Sequence, residues 1–195
     1  MVKVLQKVMH MKEENRMVSN VYKIIFADME KEEEWLNEMA QKGFNFMDNF
    51  IIRYTFSEGT PNEYIYRIEM LENSSSHPVS RQYFKFLEET GVECVSTSGK
   101  WAYFRKKAAD GPFDLYSDSE AKIKHYKRTM SYVLTLLFIN LIILGMNLTI
   151  GITRNLPLNI ILSVAVFFFT ILLLRNLFHN IKKVKELKED SHVHE

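Results

Sequence analysis

Two long apolar runs near the C-terminus constrain this chain more than any other feature. Residues 129–153 contain no charged side chain before Arg154, and residues 156–174 contain none before Arg175. A helix that crosses the hydrocarbon core of a bilayer needs about 20 apolar residues, so each run is long enough to span it. The runs therefore predict two transmembrane helices, at about 129–152 and 156–174, joined by a tight turn.

Basic side chains flank both runs and predict the orientation of the chain. They are Lys122, Lys124, Lys127 and Arg128 before the first run, and Arg175, Lys182, Lys183, Lys185 and Lys188 after the second. The turn between the runs carries only Arg154. Because basic residues near span ends stay on the cytoplasmic side, we expect a multi-pass protein of the cell membrane with both termini in the cytoplasm. The lipid bilayer is then its first partner.

Charge and cysteine content argue against several classes of function. The 25 basic and 24 acidic residues leave a net charge of +1, so we expect no nucleic-acid partner. The single cysteine, Cys94, permits neither an internal disulfide nor a thiolate metal cluster, and its apolar surroundings favour an inert buried thiol. The sequence has no nucleophile elbow, phosphate-binding glycine loop or zinc-protease motif. We therefore expect no enzyme activity, no metal and no cofactor.

Residues 18–107 predict a cytosolic α+β domain made of two similar halves. Each half reads as a strand, a helix and two further strands. Gly43 and Gly91 end the two predicted helices, and the shift of 48 residues between them superimposes the helices and the strands that follow. The first strand, placed at about 21–26, needs a different shift. Chance similarity between two aromatic-rich helices is the alternative to a duplication.

The predicted fold is one antiparallel sheet with both helices on one face, followed by a two-helix transmembrane hairpin. Side-chain alternation assigns one face to the helices. This face carries Ile24, Phe26, Tyr54, Phe56, Tyr66, Ile68, Ala102 and Phe104. The open face carries the candidate ligand-binding residues Arg53, Arg67, Glu69, Trp101, Tyr103 and Arg105. Arginines and aromatic rings on one surface suit an anionic or planar small-molecule ligand. A solvated face with charges paired between strands is the alternative and the more common arrangement.

The remaining segments complete the predicted organisation. Residues 1–17 form an N-terminal extension, residues 108–128 a linker and juxtamembrane helix, and residues 175–195 a basic amphipathic cytosolic tail. Ser117 and Glu120 match a capping box at the start of the juxtamembrane helix. Asn140 and Asn147 lie at membrane depth, where side-chain amides usually bond a neighbouring helix, so we predict a role in transmembrane association.

Several motifs in the domain and linker occur together. They are WLNEMAQKG at residues 35–43, YIYRIE at 64–69, FLEETGVE at 86–93, GPFDLYSD at 111–118 and KIKHYKR at 122–128. Residues 21–128 as a whole resemble a bacterial domain-of-unknown-function family, whose members carry a cytosolic domain followed by hydrophobic spans. The resemblance implies no activity and no functional residues. It does imply a gene neighbourhood with PadR-type regulators, and with it a membrane stress or drug-response context.

Taken together, these features favour a membrane-tethered sensor or adaptor whose cytosolic domain binds a small molecule or a protein partner. The alternative is a small accessory subunit of a larger membrane complex such as a transporter. Two spans line a pore only by assembling, so a homo-oligomer or a larger membrane protein is a further expected partner. The sensor hypothesis depends on the open sheet face, whereas the subunit hypothesis depends on Asn140 and Asn147.

Overall fold

The structure, a computed structural model, describes residues 18–25, 28–116 and 118–193. The predicted N-terminal extension, residues 1–17, lies outside the described residues, as do Phe26 and Ser117. The chain divides into an α+β unit that ends at Leu115 and a helical unit that runs on from Tyr116. The predicted α+β class is confirmed.

Within the described residues, the α+β unit contains six strands and two α-helices in the predicted order. The elements are β1 (Val18–Tyr22), α1 (Met29–Gln41), β2 (Phe44–Phe50), β3 (Arg53–Glu58), β4 (Tyr64–Met70), α2 (Pro78–Glu89), β5 (Val92–Ser98) and β6 (Trp101–Lys107). A single 3-10 turn, Ala108–Asp110, follows β6. Gly43 and Gly91 follow the two helices with φ values of 85° and 83°, a conformation that glycine adopts without strain.

The strands form two antiparallel sheets of three strands, where one continuous sheet was predicted. The first sheet has the order β1-β3-β2 and the second the order β4-β6-β5. Strands β2 and β5 contact each other, but each carries a β-bulge, at Phe46/Asp48 and at Cys94/Ser96. A bulge bends its strand and locally disrupts the ladder of backbone hydrogen bonds. Between β2 and β5, a side-chain hydrogen bond connects the two sheets. The Ser96 hydroxyl donates a 2.6 Å hydrogen bond to the Asp48 carboxylate.

The shift of 48 residues relates the two halves throughout, which favours a true duplication over chance similarity. Val18 pairs with Ser57, and 48 residues later Tyr66 pairs with Arg105. The two bulges also lie 48 residues apart. The separate shift predicted for the first strand was wrong because that strand is Val18–Tyr22, earlier than the segment at 21–26.

The assignment of the sheet faces was partly wrong. Tyr54, Phe56, Tyr66, Ile68, Ala102 and Phe104 are buried as predicted, whereas Ile24 is 79% exposed. In the second sheet, however, Arg67 lies opposite Phe104, and Ile68 lies opposite Tyr103. Directly opposed residues share a face, so Tyr66 and Ile68 point away from the face of Ala102 and Phe104. The physical reason is that both faces of the second sheet are packed.

The two helices cover different faces. From α1, Trp35, Leu36 and Ala40 pack in one core cluster with side chains of both sheets. These are Phe46, Tyr54 and Phe56 from the first sheet, and Tyr66, Ile68 and Tyr103 from the second. From α2, Leu87, Tyr83 and Phe84 pack with Ala102 and Phe104 in a separate cluster. Helix α1 therefore joins the halves, while α2 covers its own sheet.

The helical unit consists of α3 (Ser119–Thr153) and α4 (Pro157–Val193), joined by a short turn. Both helices are long and apolar enough to cross a membrane, with mean hydropathy of 2.3 and 2.5 over their most apolar segments. Helix α3 runs from the juxtamembrane segment into the first apolar run without a break, as predicted. Its N-cap is Asp118, whose carboxylate accepts a 2.7 Å hydrogen bond from the Ala121 amide, instead of the predicted Ser117.

Candidate functional site

The six predicted ligand-binding residues do not share one surface. Arg53 belongs to β3 in the first sheet, and the other five belong to the second sheet. Within the second sheet, the register places Arg67 and Glu69 opposite Phe104 and Ala102, on the face that α2 covers. Trp101, Tyr103 and Arg105 occupy the other face. The predicted single open face is therefore wrong, although ligand binding by individual members remains a prediction.

Three of these residues pair with neighbouring side chains, and one of the three pairs, Arg105 with Glu93, joins two strands as the alternative interpretation expected. The Arg105 guanidinium forms a 2.8 Å salt bridge with Glu93, the residue opposite it on β5, and lies 4.3 Å from the ring centroid of Tyr64. The Glu69 carboxylate accepts a 2.8 Å hydrogen bond from the Tyr83 hydroxyl. Arg67 forms a 3.1 Å salt bridge with Glu33 of α1.

Tyr103 is part of a buried polar cluster between the two halves. Its side chain is 4% exposed, and its hydroxyl donates a 2.8 Å hydrogen bond to Oε1 of Glu32. The Tyr54 hydroxyl donates to the same oxygen, also at 2.8 Å, and the Asn49 amide donates to the Tyr103 hydroxyl at 3.0 Å. Glu32, Asn49 and Tyr54 come from the first half, and Tyr103 comes from the second. We call these four residues the inter-repeat cluster.

The surroundings of the inter-repeat cluster raise the pKa of its carboxyl group and of both its phenols. Burial raises the pKa of the Glu32 carboxyl, and the hydrogen bonds from Tyr103 and Tyr54 offset part of that rise. Burial, followed by the nearby charge of Glu32, raises the pKa of both Tyr54 and Tyr103 well above that of a free phenol. Both phenols therefore stay hydrogen-bond donors, and the protonation state of Glu32 decides how strongly they are held.

Helix α1 also binds the outer edge of β4 through its polar side chains. The Asn37 amide accepts a 2.8 Å hydrogen bond from the Tyr66 backbone N–H and donates one of 3.1 Å to the Tyr66 carbonyl. The Glu33 carboxylate accepts a 3.0 Å hydrogen bond from the Ile68 N–H. These side chains replace the next strand of the ladder, so the edge of the second sheet is protected.

Arg67 connects α1 to the segment that leads to the two long apolar helices. Its guanidinium pairs with Glu33 and lies 5.9 Å from the ring centroid of Phe113, in cation–π range. Phe113 is 5% exposed and packs in the core cluster of the second half. The segment predicted as a linker is thus anchored in the domain at Phe113, five residues before Asp118.

Sequence analysis did not single out Glu32, because it stands among Glu30, Glu33 and Glu34 in an acidic run that is typical of a solvated helix surface. A signal was present, since Glu32 precedes Trp35 by three residues and Leu36 by four and so lies on the apolar face of the helix. Asn49 and Tyr54 carried no comparable signal, because their roles depend on contact with the second half.

The two amides predicted to lie at membrane depth bond within the chain. Asn140 accepts a 2.6 Å hydrogen bond from the Thr170 hydroxyl, and Asn147 accepts one of 3.1 Å from the Asn159 amide. Both partners lie on α4, so these residues join the two apolar helices to each other.

The thiol of Cys94 has the character expected of an unreactive side chain. Burial, together with the charges of Glu88 and Glu93, raises its pKa to about 11. The thiol therefore stays protonated at neutral pH, and it is a weak nucleophile.

Comparison with known proteins identifies a family but no characterised relative. No curated protein and no solved structure gives a significant match to the chain. The match to a family model runs from the end of the β1–α1 connection to the middle of the first apolar helix. The match covers residues 28–138, more than half of the chain. The family carries the description "Protein of unknown function (DUF2812)". The chain therefore belongs to the DUF2812 family.

Proposed function

We propose that this protein is a membrane-tethered, non-catalytic sensor or adaptor. In this proposal the α+β domain binds a small molecule or a cytosolic protein, and the change in the domain reaches the membrane helices through residues 111–118. The observation that carries the proposal is the position of Arg67. It touches both Glu33, on the helix that joins the two halves, and Phe113, on the segment that leads to α3.

A sensor needs an element with two arrangements that its ligand can favour differently. The contact between the halves supports such an element, because side chains make its hydrogen bonds. The Glu32–Tyr103 and Asp48–Ser96 hydrogen bonds cross this contact, whereas the two sheets keep separate backbone ladders. A ligand that changes the spacing of the halves moves α1 along β4 and disturbs the Glu33–Arg67 pair.

The continuity of α3 supports transmission from that point. Helix α3 begins at Ser119, six residues after Phe113, and continues through the apolar run to Thr153. A hydrogen-bonded helix is stiff over such a length, so a displacement at Phe113 reaches the first span with few soft residues between them. The basic residues that flank the spans support placing this domain in the cytoplasm, with both termini, at the cell membrane.

The test uses the full-length protein in lipid nanodiscs and a panel of metabolites, nucleotides, lipids and cationic drugs. Thermal unfolding detects binding, because a ligand at 100 times its Kd adds about 2.7 kcal/mol to the free energy of unfolding. Hydrogen exchange of the backbone amides in residues 111–116 then shows whether binding in the domain changes the segment that leads to α3. We expect at least one compound to raise the unfolding midpoint and to change that exchange.

Two matched variants separate binding from transmission. Arg67→Met removes the bridge to Phe113, whereas Arg105→Met removes a comparable ion pair on the same sheet without touching that segment. We expect Arg67→Met to lose the exchange response and Arg105→Met to keep it. Loss of the midpoint shift in either variant would identify that arginine as a ligand-binding residue. Binding without any exchange response in the native protein contradicts the sensor proposal. A panel without any binder, combined with failure to capture a cytosolic protein, contradicts the adaptor as well.

An accessory subunit of a larger membrane complex is the alternative function. It was expected to associate through Asn140 and Asn147, but both amides bind Thr170 and Asn159 of the same chain. The alternative therefore needs other contacts in the membrane.

A further inference from the structure

The turn between β2 and β3 exposes three large apolar side chains in succession. Phe50 is 64% exposed, Ile51 76% and Ile52 41%. The end of β1 lies beside this turn, because Tyr22 pairs with Arg53 and the Lys23 amide donates a 2.9 Å hydrogen bond to the Ile52 carbonyl. There, Tyr22 and Ile24 are 70% and 79% exposed. We call Tyr22, Ile24, Phe50, Ile51 and Ile52 the apolar tip.

The backbone of the apolar tip is strained. Ile51 has a φ of 57°, in the left-handed region that β-branched residues rarely adopt. The side chain is mostly exposed, so packing within the domain does not explain why an isoleucine occupies this position. Such strain is characteristic of sites that bind a ligand or a partner.

The second half shows that the same turn forms without strain and without apolar residues. At the shift of 48, Gly99 corresponds to Ile51 and has a φ of 63°. Its neighbours Ser98 and Lys100 correspond to Phe50 and Ile52. The backbone bond is preserved as well, since the Leu71 amide donates a 2.8 Å hydrogen bond to the Lys100 carbonyl. The fold therefore requires only the turn, and the apolar side chains serve another purpose.

We propose that the apolar tip inserts into the headgroup and upper acyl region of the bilayer that anchors the chain. This inference rests on the proposed membrane tether. Aliphatic and aromatic side chains with nearby cations suit this region of a membrane. The two segments that build the tip, residues 22–25 and 50–53, contain no acidic residue, and the exposed Arg53 fits the phosphates of lipid headgroups. The other cation of the tip, Lys23, lies 4.3 Å from the ring centroid of Trp35 within the domain.

The short tether supports a lipid surface as the occupant. Leu115 packs against the core cluster of the second half, and α3 begins at Ser119, so only residues 116–118 separate the packed segment from the first long helix. Such a tether holds the domain at a high effective concentration of lipid, so that a modest apolar surface is enough for binding. The inserted tip is a second attachment of the domain to the membrane.

Fluorescent labels at equivalent positions of the two turns test this proposal. The full-length protein with Cys94→Ser receives a single cysteine, either Ile52→Cys or Lys100→Cys, and a bimane label. Neither position has a positive φ, and both lie in corresponding turns. The labelled proteins are reconstituted into phosphatidylcholine–phosphatidylglycerol vesicles that contain nitroxide-labelled lipid, and aqueous iodide serves as the opposing quencher.

We expect the label at position 52 to be quenched by nitroxide lipid and to be protected from iodide several-fold better than the label at position 100. Both labels lie in one domain, so the orientation of the protein in the vesicles affects them equally. Equal iodide quenching at both positions overturns the proposal. Protection of position 52 from both quenchers also overturns it, because a protein surface, such as a second copy of the chain, then covers the tip.

A separate measurement distinguishes failure of the tip from failure of the tether. Flotation of the same vesicles after an alkaline wash retains only inserted protein. A protein that floats but shows a water-exposed label at position 52 contradicts the tip alone, whereas a protein that is washed off contradicts the membrane tether and the tip together. The pair Phe50→Cys and Ser98→Cys repeats the comparison two residues earlier.

Discussion

The two halves of the α+β domain share a backbone and differ in what their side chains contact. Strand order, register and bulge position repeat at a shift of 48 residues. On this common frame, α1 packs against both sheets, whereas α2 packs against its own. A duplicated unit can therefore keep its backbone hydrogen-bonding pattern while the helix of one copy packs against both halves and the helix of the other packs against one half.

Corresponding helix positions show how this difference arises. Glu32, Glu33 and Asn37 of α1 contact the second half. The corresponding residues of α2 are Ser80, Arg81 and Lys85, and the last two are exposed. These three polar residues of α1 thus lie against protein, whereas Arg81 and Lys85 of α2 face water.

The largest expected effect comes from equivalent apolar residues of the two helices. Leu36 is fully buried between the sheets, while its counterpart Phe84 is only partly buried. We expect Leu36→Ala to lower the free energy of unfolding by about 3 kcal/mol and Phe84→Ala to lower it by about half as much, because the cavity at Phe84 is open to solvent. Urea unfolding followed by tryptophan fluorescence measures both, since Trp35 and Trp101 lie in this domain. Equal losses would show that α2 is as central as α1.

Much of this architecture was predictable from local patterns. Helical spacing around Trp35, glycine stops at Gly43 and Gly91, and the two uncharged runs were enough to predict the helices, their order and the apolar hairpin. The division into two sheets was not predictable, because it occurs where β2 and β5 carry their bulges, and side-chain alternation gave no sign of these. Tyr66 and Tyr103 read as ordinary alternating strand residues, and nothing in the alternation indicates that both faces of a sheet are covered.

The inter-repeat cluster provides an effect of intermediate size. Glu32→Ala leaves the buried hydroxyls of Tyr54 and Tyr103 without their common acceptor, and we expect a loss of about 2 kcal/mol. Glu32→Gln keeps an acceptor oxygen, so it should cost less at neutral pH. If the two substitutions cost the same, the hydrogen bonds do not hold the halves together.

The same pair of variants gives a pH dependence of definite sign. The pKa of Glu32 is raised above the ordinary value of 4.5, so the folded state binds the proton more tightly than the unfolded state does. The contribution of this group to stability is therefore greatest below that value and is lost as the pH rises through the raised pKa. Glu33, whose pKa burial also raises, adds to the same trend. We expect the slope of unfolding free energy between about pH 4 and about pH 7 to be shallower in Glu32→Gln.

The smallest expected effect exchanges the two turns. Gly99→Ile introduces a β-branched residue at positive φ in open space, and we expect it to cost about 1 kcal/mol through strain alone. Ile51→Gly relieves the same strain, but the greater freedom of glycine in the unfolded chain offsets part of the gain, so we expect a stabilisation of about 0.5 kcal/mol. Opposite signs in urea unfolding would confirm that the first half retains a costly turn. No loss of stability in Gly99→Ile, together with a loss in Ile51→Gly, would show that the left-handed turn tolerates isoleucine.

The hydrogen bonds between Asn37 and the backbone of Tyr66 have a consequence for how such a gene can evolve. A lone second half would present the outer edge of β4 as a template for strand addition by other chains. A lone first half would expose the surface of α1 that packs against Tyr66 and Tyr103. Once these contacts existed, fission of the gene between the halves would release two aggregation-prone fragments, so the duplication is effectively irreversible.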